Sequence, residues 1–327
     1  MSKKFVKDLV VGESVSDVFI LTALSEDKNG DYSITLSDRT GTINGLLPKN
    51  CFSRGMETFV DAPVMFCGIV TNMGKSPYLK CRSLAIATSY KMSELMGGLS
   101  SAKKEEYIAI IRSIQEYIKN PHYKSLVDAC LTDEVLNSLA ALPATLASYG
   151  RYAGGALASC AIVADMAVYV GKIYGKLGNG IYTRDFQWSL LLTAALLHTF
   201  GNIKYIANGV PFRKTDVGNS MGLLAILQHS LQEICVSKGL EITNEEFADL
   251  INTLHASIYY TSSIKAVNKE GVMLRHIISL YNECDVFDCE VANADFSESK
   301  TAWSGKLQRS IQAEPLFENT KEKQDGR

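Results

Sequence analysis

The chain carries no excess charge of either sign: 33 Lys and Arg against 35 Asp and Glu over 327 residues leave a net charge of −2. That balance excludes capture of nucleic acid by bulk charge, so any such grip needs a local patch. No secretory signal is expected, because MSKKFVKDLVVGES turns polar before an apolar core can form. No long run is purely hydrophobic. The most apolar stretch, 153–173, includes Ser159 and Asp165 and predicts a buried core helix rather than a membrane span. Eight cysteines (Cys51, Cys67, Cys81, Cys130, Cys160, Cys235, Cys284 and Cys289) follow no framework spacing. Without a secretory signal they predict reduced thiols, most of them in the core. Hydrophobic residues at 46% and charged residues at 21% exclude wholesale disorder. Together these features predict a cytoplasmic, soluble protein with no membrane partner, and the length predicts about two domains.

What is present changes character along the chain. Residues 1–90 are β-type. Segments 15–21 and 32–36 are rich in β-branched and aromatic residues, with a turn at Asp27-Lys28-Asn29-Gly30 between them. Asp38-Arg39-Thr40-Gly41 turns the chain into 42–47, a short helical link is predicted over 49–57, and strands follow at 63–70 and 78–84. Five strands with a helical link after the third predict an OB-type five-stranded β-barrel.

From about residue 100 the period becomes helical. Ser100 or Ser101 caps a helix whose apolar face is Tyr107, Ile108, Ile111, Ile114 and Tyr117. Further helices are predicted at 121–130, 132–141, 155–175, 187–200, 218–238, 243–256 and 271–291, with no strand pattern. Thr243-Asn244-Glu245-Glu246 fits a capping box, and Gly239 stands where a helix-terminating glycine belongs. The domains are therefore read as a barrel over 1–90, a helical linker over 91–142 and an all-α domain over 143–293. A polar tail over 294–327 is predicted to be mostly disordered.

Three stretches carry the candidate chemistry: Leu196-Leu197-His198-Thr199-Phe200-Gly201, Pro143-Ala144-Thr145 followed by Gly154-Gly155-Ala156-Leu157, and Cys284-Asp285-Val286-Phe287-Asp288. In this order, behind an OB-type barrel, they resemble the YhaM-type 3′–5′ exoribonucleases, which join an OB-fold to a helical HD phosphohydrolase domain. The resemblance runs from Phe5-Val6-Lys7-Asp8-Leu9 to Asp288. It implies an HD-type helical domain, single-stranded nucleic acid as ligand and a homo-oligomer.

The departures from that family concern the metal. Its His-His pair falls on Tyr149 and Gly150, a metal-binding His on Ser159, and its defining His-Asp pair on His198 and Thr199. Its Lys falls on Asn202, a Gly-His pair on Gly222 and Leu223, and its Ser-His-His-Gly on Thr253-Leu254-His255-Ala256. A neutral threonine hydroxyl cannot bridge or neutralise a dication, and serine and leucine remove further imidazoles. The remnant set is His198, Thr199, His255, Asp285 and Ser159. A degenerate, non-catalytic HD site without a cofactor is expected. Each remnant also has a plain structural use. His198 and His255 fit hydrogen-bonded core histidines, and Asp285 and Asp288 fit capping, pairing with Arg275 or Arg184, or simple solvation. Cys284 and Cys289 lack a second pair at zinc spacing and fit helix packing.

On the barrel, Tyr78, Lys80 and Arg82 fall at alternate positions of one strand and so share a face. With Lys75, Tyr32 and Arg39 they form the candidate nucleic-acid-binding set, an aromatic platform beside cations. Ten Lys and Arg against nine Asp and Glu over residues 1–90 give that region a net charge of +1, which predicts modest, salt-sensitive affinity. The leading expectation is a nucleic-acid-binding or assembly protein derived from an exoribonuclease. One alternative is an active phosphohydrolase holding Mn or Mg on His198, His255 and Asp285. The other is a structural or regulatory oligomer that binds no nucleic acid.

Overall fold

Apolar side chains at alternate positions pair five strands into a closed barrel in the computed structural model, which describes residues 3–60, 62–73, 76–146, 149–177, 186–209, 211–258, 264–294 and 299–312. The strands are β1 (Ser14–Glu26), β2 (Tyr32–Asp38), β3 (Gly41–Leu47), β4 (Ala62–Met73) and β5 (Ser76–Ile86), in the order β1-β2-β3-β5-β4. β1 is long enough to serve two neighbours. Its first half pairs antiparallel with β4 (Ser14 opposite Ile69), and its second half with β2 (Glu26 opposite Tyr32). The register shifts between Leu21 and Ala23, and this bulge at Thr22 bends the strand from one partner to the other. Closure is completed by parallel pairing of β3 with β5, Gly45 beside Leu79.

Inward positions fill the barrel. Phe19, Leu21, Ile34, Leu36, Leu47, Val64, Phe66, Val70 and Leu79 are fully buried, and the Phe19 and Phe66 rings meet edge to face with centroids 6.3 Å apart. Two glycines permit close approach. A Cβ on Gly45 would stand 2.8 Å from the Leu79 carbonyl oxygen, and one on Gly68 only 2.3 Å from that of Lys80. The predicted helical link is two 3-10 turns, Lys49–Cys51 and Met56–Phe59. Gly55, at φ +100°, separates them and prevents a continuous helix.

The helical part begins with a short turn, α1 (Met92–Leu95), whose Leu95 packs with Val18, Ile20 and Ala87 of the barrel. Then come α2 (Ser101–Gln115), α3 (Pro121–Cys130), α4 (Asp133–Leu139), α5 (Gly155–Leu177) and α6 (Trp188–Leu197). Ser100 caps α2, Asn120 caps α3 with Pro121 at its first position, and Thr132 caps α4. The chain continues through α7 (Asn202–Tyr205), α8 (Asp216–Met221), α9 (Leu223–Lys238), α10 (Asn244–Ile258) and α11 (Lys269–Asn293). α6 is buried on every side from Leu190 to Leu197, and α3, α5, α10 and α11 pack around it. Helix α5 is long and apolar enough to cross a membrane by length and composition, but it packs against α2, α6 and α11 within this core.

Four expectations are corrected. The stretch 91–142 is not a linker: Ile111, Ile114, Tyr123, Leu126 and Leu136 belong to the same core as α5 and α6. The helix predicted over 218–238 breaks at Gly222, whose φ of +75° ends α8 and starts α9. A two-residue ladder, β6 (Ile206–Ala207) with β7 (Arg213–Lys214), stands where no strand was expected. The polar tail is ordered in part. β8 (Thr301–Ser304) and β9 (Arg309–Gln312) form a hairpin on α11, with Ile311 buried and Ser304 Oγ donating to Glu290 at 2.6 Å. One buried isoleucine and one hydrogen bond to α11 are too sparse to register as a pattern in composition. Residues 313–327 lie outside the described residues.

Candidate nucleic-acid interface

β5 alternates as the sequence implies, with Leu79 and Cys81 inside the barrel and Tyr78 and Lys80 outside. Arg82 is the extra residue of a bulge: Cys81 pairs with Gly68 and Ser83 with Cys67, leaving Arg82 exposed between them. Lys80 and Arg82 have no ion pair among the described residues, so both cations are open to solvent and ligand. Tyr78 is half-buried. Desolvation, with Asp27 adding to it, raises its phenol above the ordinary range, so the ring stays neutral at physiological pH.

The remaining predicted barrel residues do not join this strip. Tyr32 is stacked on Phe52, with ring centroids 3.9 Å apart and planes 11° from parallel, so one face of the ring is covered. Arg39 lies at the β2–β3 turn with its guanidinium 4.4 Å over the Phe5 ring. Lys75 lies outside the described residues.

A second surface was not legible from sequence. Where the barrel meets the helices, a cleft of about 930 Å³ is lined on one side by Thr22, Ser37 and Thr42 from the outer face of β1–β3. Lys7, Arg39 and Arg151 also line it. Arg151 is more than a hundred residues from every barrel residue in this set, so no local spacing could have revealed it.

Of the candidate residues in the helical part, His198, Ser159 and Asp285 make internal hydrogen bonds. His198, at the C-terminal end of α6, is 4% exposed. Its Nδ1 donates to the Ala195 carbonyl at 2.7 Å, which leaves Nε2 to accept from Ser159 Oγ at 3.0 Å. Burial outweighs the carbonyl contact and holds the imidazole down to about 4, so it is neutral at pH 7. A serine donating to a neutral histidine is the geometry of a nucleophile with its base. Here Ser159 is fully buried, and the third group is an uncharged carbonyl that cannot support an imidazolium. Thr199 is buried beside Cys160, whose thiol donates to the Leu196 carbonyl at 3.1 Å.

Asn202, where the resemblance places a lysine, donates to the Pro143 and Ala144 carbonyls at 3.0 and 2.9 Å and so ties that loop to α7. Asp285 accepts from the Gly150 backbone N–H at 2.8 Å and makes no ion pair with Arg275 among the described residues; Arg184 lies outside them. His255 faces a separate shallow pocket with Gln228, Phe247, Ile251 and Asn252. Burial lowers its imidazole below the ordinary range, against a contact to the Leu224 backbone. Among the described residues no group of three His, Cys, Asp or Glu side chains is placed to hold a metal ion. Cys284 and Cys289 are both exposed on α11. His122, unremarked in the sequence, binds Glu246 Oε2 through Nδ1 at 2.7 Å.

Strand order and parallel closure define an OB-type barrel joined to a helical domain. No family model and no curated protein matches the chain. Among solved structures it is similar to the second OB-fold domain of replication protein A from Methanococcus maripaludis. The identity is 16% and the TM-score 0.22, covering 28% of this chain and 99% of that one. It is also similar to asparaginyl-tRNA synthetase from Pyrococcus horikoshii, at 11% identity and a TM-score of 0.24, covering 42% of this chain. The match covers 33% of the synthetase, so the chain spans about a third of it. At these scores the likenesses carry no weight for function.

Proposed function

We propose that this is a non-catalytic protein that binds single-stranded nucleic acid, built on the plan of the YhaM-type exoribonucleases with the HD-type domain kept as scaffold. The observation that carries it is the outward strip of β5, where Tyr78 stands beside two unpaired cations, Lys80 and Arg82. Such a strip offers one base-stacking surface and two phosphate contacts, a sequence-tolerant mode. The helical part supports the non-catalytic half. His198, Ser159 and Asp285, which an HD-type site would turn toward metal and phosphate, are committed to internal hydrogen bonds.

Affinity should be modest, on the order of 1–100 μM at physiological salt. Fluorescence anisotropy of the full chain with a labelled oligonucleotide tests it. Lys80→Ala with Arg82→Ala should weaken binding uniformly across sequences, and Tyr78→Ala should cost roughly 1–3 kcal/mol. Absence of binding at low salt would defeat the proposal.

A further inference from the structure

We infer that the cleft between barrel and helices is a second phosphate-contacting segment of the path taken by a bound single strand. This rests on the nucleic-acid reading above and extends it to residues outside the barrel. The cleft collects polar groups that the fold itself does not satisfy. The Ser37 and Thr42 hydroxyls, on residues that face each other across β2 and β3, make no hydrogen bond among the described residues. Lys7 and Arg151, both exposed, make no ion pair among them.

The two carboxylates in the cleft are outnumbered by Lys7, Arg39 and Arg151 and are held by donors of the fold. Asp38 is buried and accepts from the Val6 and Thr40 backbone N–H groups at 2.8 and 2.7 Å and from Thr40 Oγ1 at 2.6 Å. Glu290 accepts from Ser304. Two unpaired cations and two unpaired hydroxyls around a polar groove suit phosphodiester oxygens, which need charge and hydrogen-bond donors together. Among the described residues no exposed aromatic lines the cleft, so it takes the backbone of the strand, while base stacking remains with Tyr78.

Anisotropy of the full chain with a labelled 20-mer of thymidine, across a salt series, tests this. Lys7→Ala with Arg151→Ala should weaken binding about tenfold at low salt and lower the log–log salt slope by about 1.4, roughly 0.7 per lost contact to a single strand. Lys119→Ala with Lys238→Ala removes equal charge away from the cleft and should leave both unchanged. If the cleft variant binds like wild type while Lys80→Ala with Arg82→Ala weakens binding, the cleft inference is overturned and the function stands. If wild type binds nothing, the underlying function has failed instead. Thymidine monophosphate binding as tightly as the 20-mer would also overturn the inference, because the cleft would then be a small-anion site.

Discussion

Acid should destabilise the fold through His198. Folded, its imidazole is held to about 4, while an unfolded chain presents histidine near 6.5. The unfolded state therefore binds the proton first. Stability is fully present above about pH 6.5 and is lost as the pH falls toward 4. The loss works out at about 2 kcal/mol by pH 5 and about 3 kcal/mol by pH 4, a large part of a typical stability of about 5–15 kcal/mol. Urea unfolding monitored by far-UV circular dichroism, at half-unit steps from pH 7.5 to 4, measures it. His198→Gln can still hydrogen-bond Ser159 but cannot titrate, so its curve should be flatter by that amount. Other titrating groups cancel in the difference. Glu246 cancels too: its carboxylate is held to about 2, because hydrogen bonds from Asn120, Thr243 and His122 outweigh burial, and its contribution fades only below about pH 4.5. Parallel pH profiles for wild type and variant would refute a buried, neutral His198.

Elemental analysis of the purified protein should find no stoichiometric Mn, Fe, Ni or Zn; one ion per chain, lost on His198→Ala, would favour the hydrolase alternative. Gly68→Ala should lower the urea midpoint by the equivalent of about 1–3 kcal/mol, since the new methyl collides with the Lys80 carbonyl and the Phe66 ring. Thr243→Ala removes the cap that receives the Glu246 N–H at 3.1 Å and should cost about 1 kcal/mol in thermal melts. Tyr169, Ile173, Val272 and Leu280 are 62, 60, 47 and 55% exposed on α5 and α11, so light scattering should report an assembly. A mass of one chain, 35.8 kDa, at tens of micromolar would contradict it.

The barrel is legible in the sequence because its inward residues alternate with polar ones and its first two turns carry Asp27-Lys28-Asn29-Gly30 and Asp38-Arg39-Thr40-Gly41. Helix caps are legible for a similar reason: Ser100, Thr243 and Gly239 act on neighbours within four residues. Long-range partners are not. Tyr32 reads as an open platform until Phe52 folds onto it, and Arg82 reads as a paired strand residue until the bulge opposite Gly68 leaves it without a cross-strand partner. The 91–142 segment reads as a linker because its apolar face is modest, and only packing on α5 and α6 reveals what that face covers. The cleft required β1, β2, β3, the N-terminus and residue 151 to meet, and no periodicity encodes such a meeting.

The parallel join of β3 to β5 has a mechanical consequence. It rests on two register pairs, Gly45 with Leu79 and Leu46 with Lys80, whereas ten pairs join β4 to β5 and eight join β1 to β4. The barrel therefore consists of a three-strand leaf and a hairpin, hinged firmly on one side and clasped weakly on the other. Transient opening begins at the clasp, and amide exchange should be fastest there among the central strands. Opening bares two sticky edges. Lys80 sits on one of them, and its charge discourages two opened molecules from zipping together. The same ammonium that would meet a phosphate in the closed barrel guards the open one against aggregation.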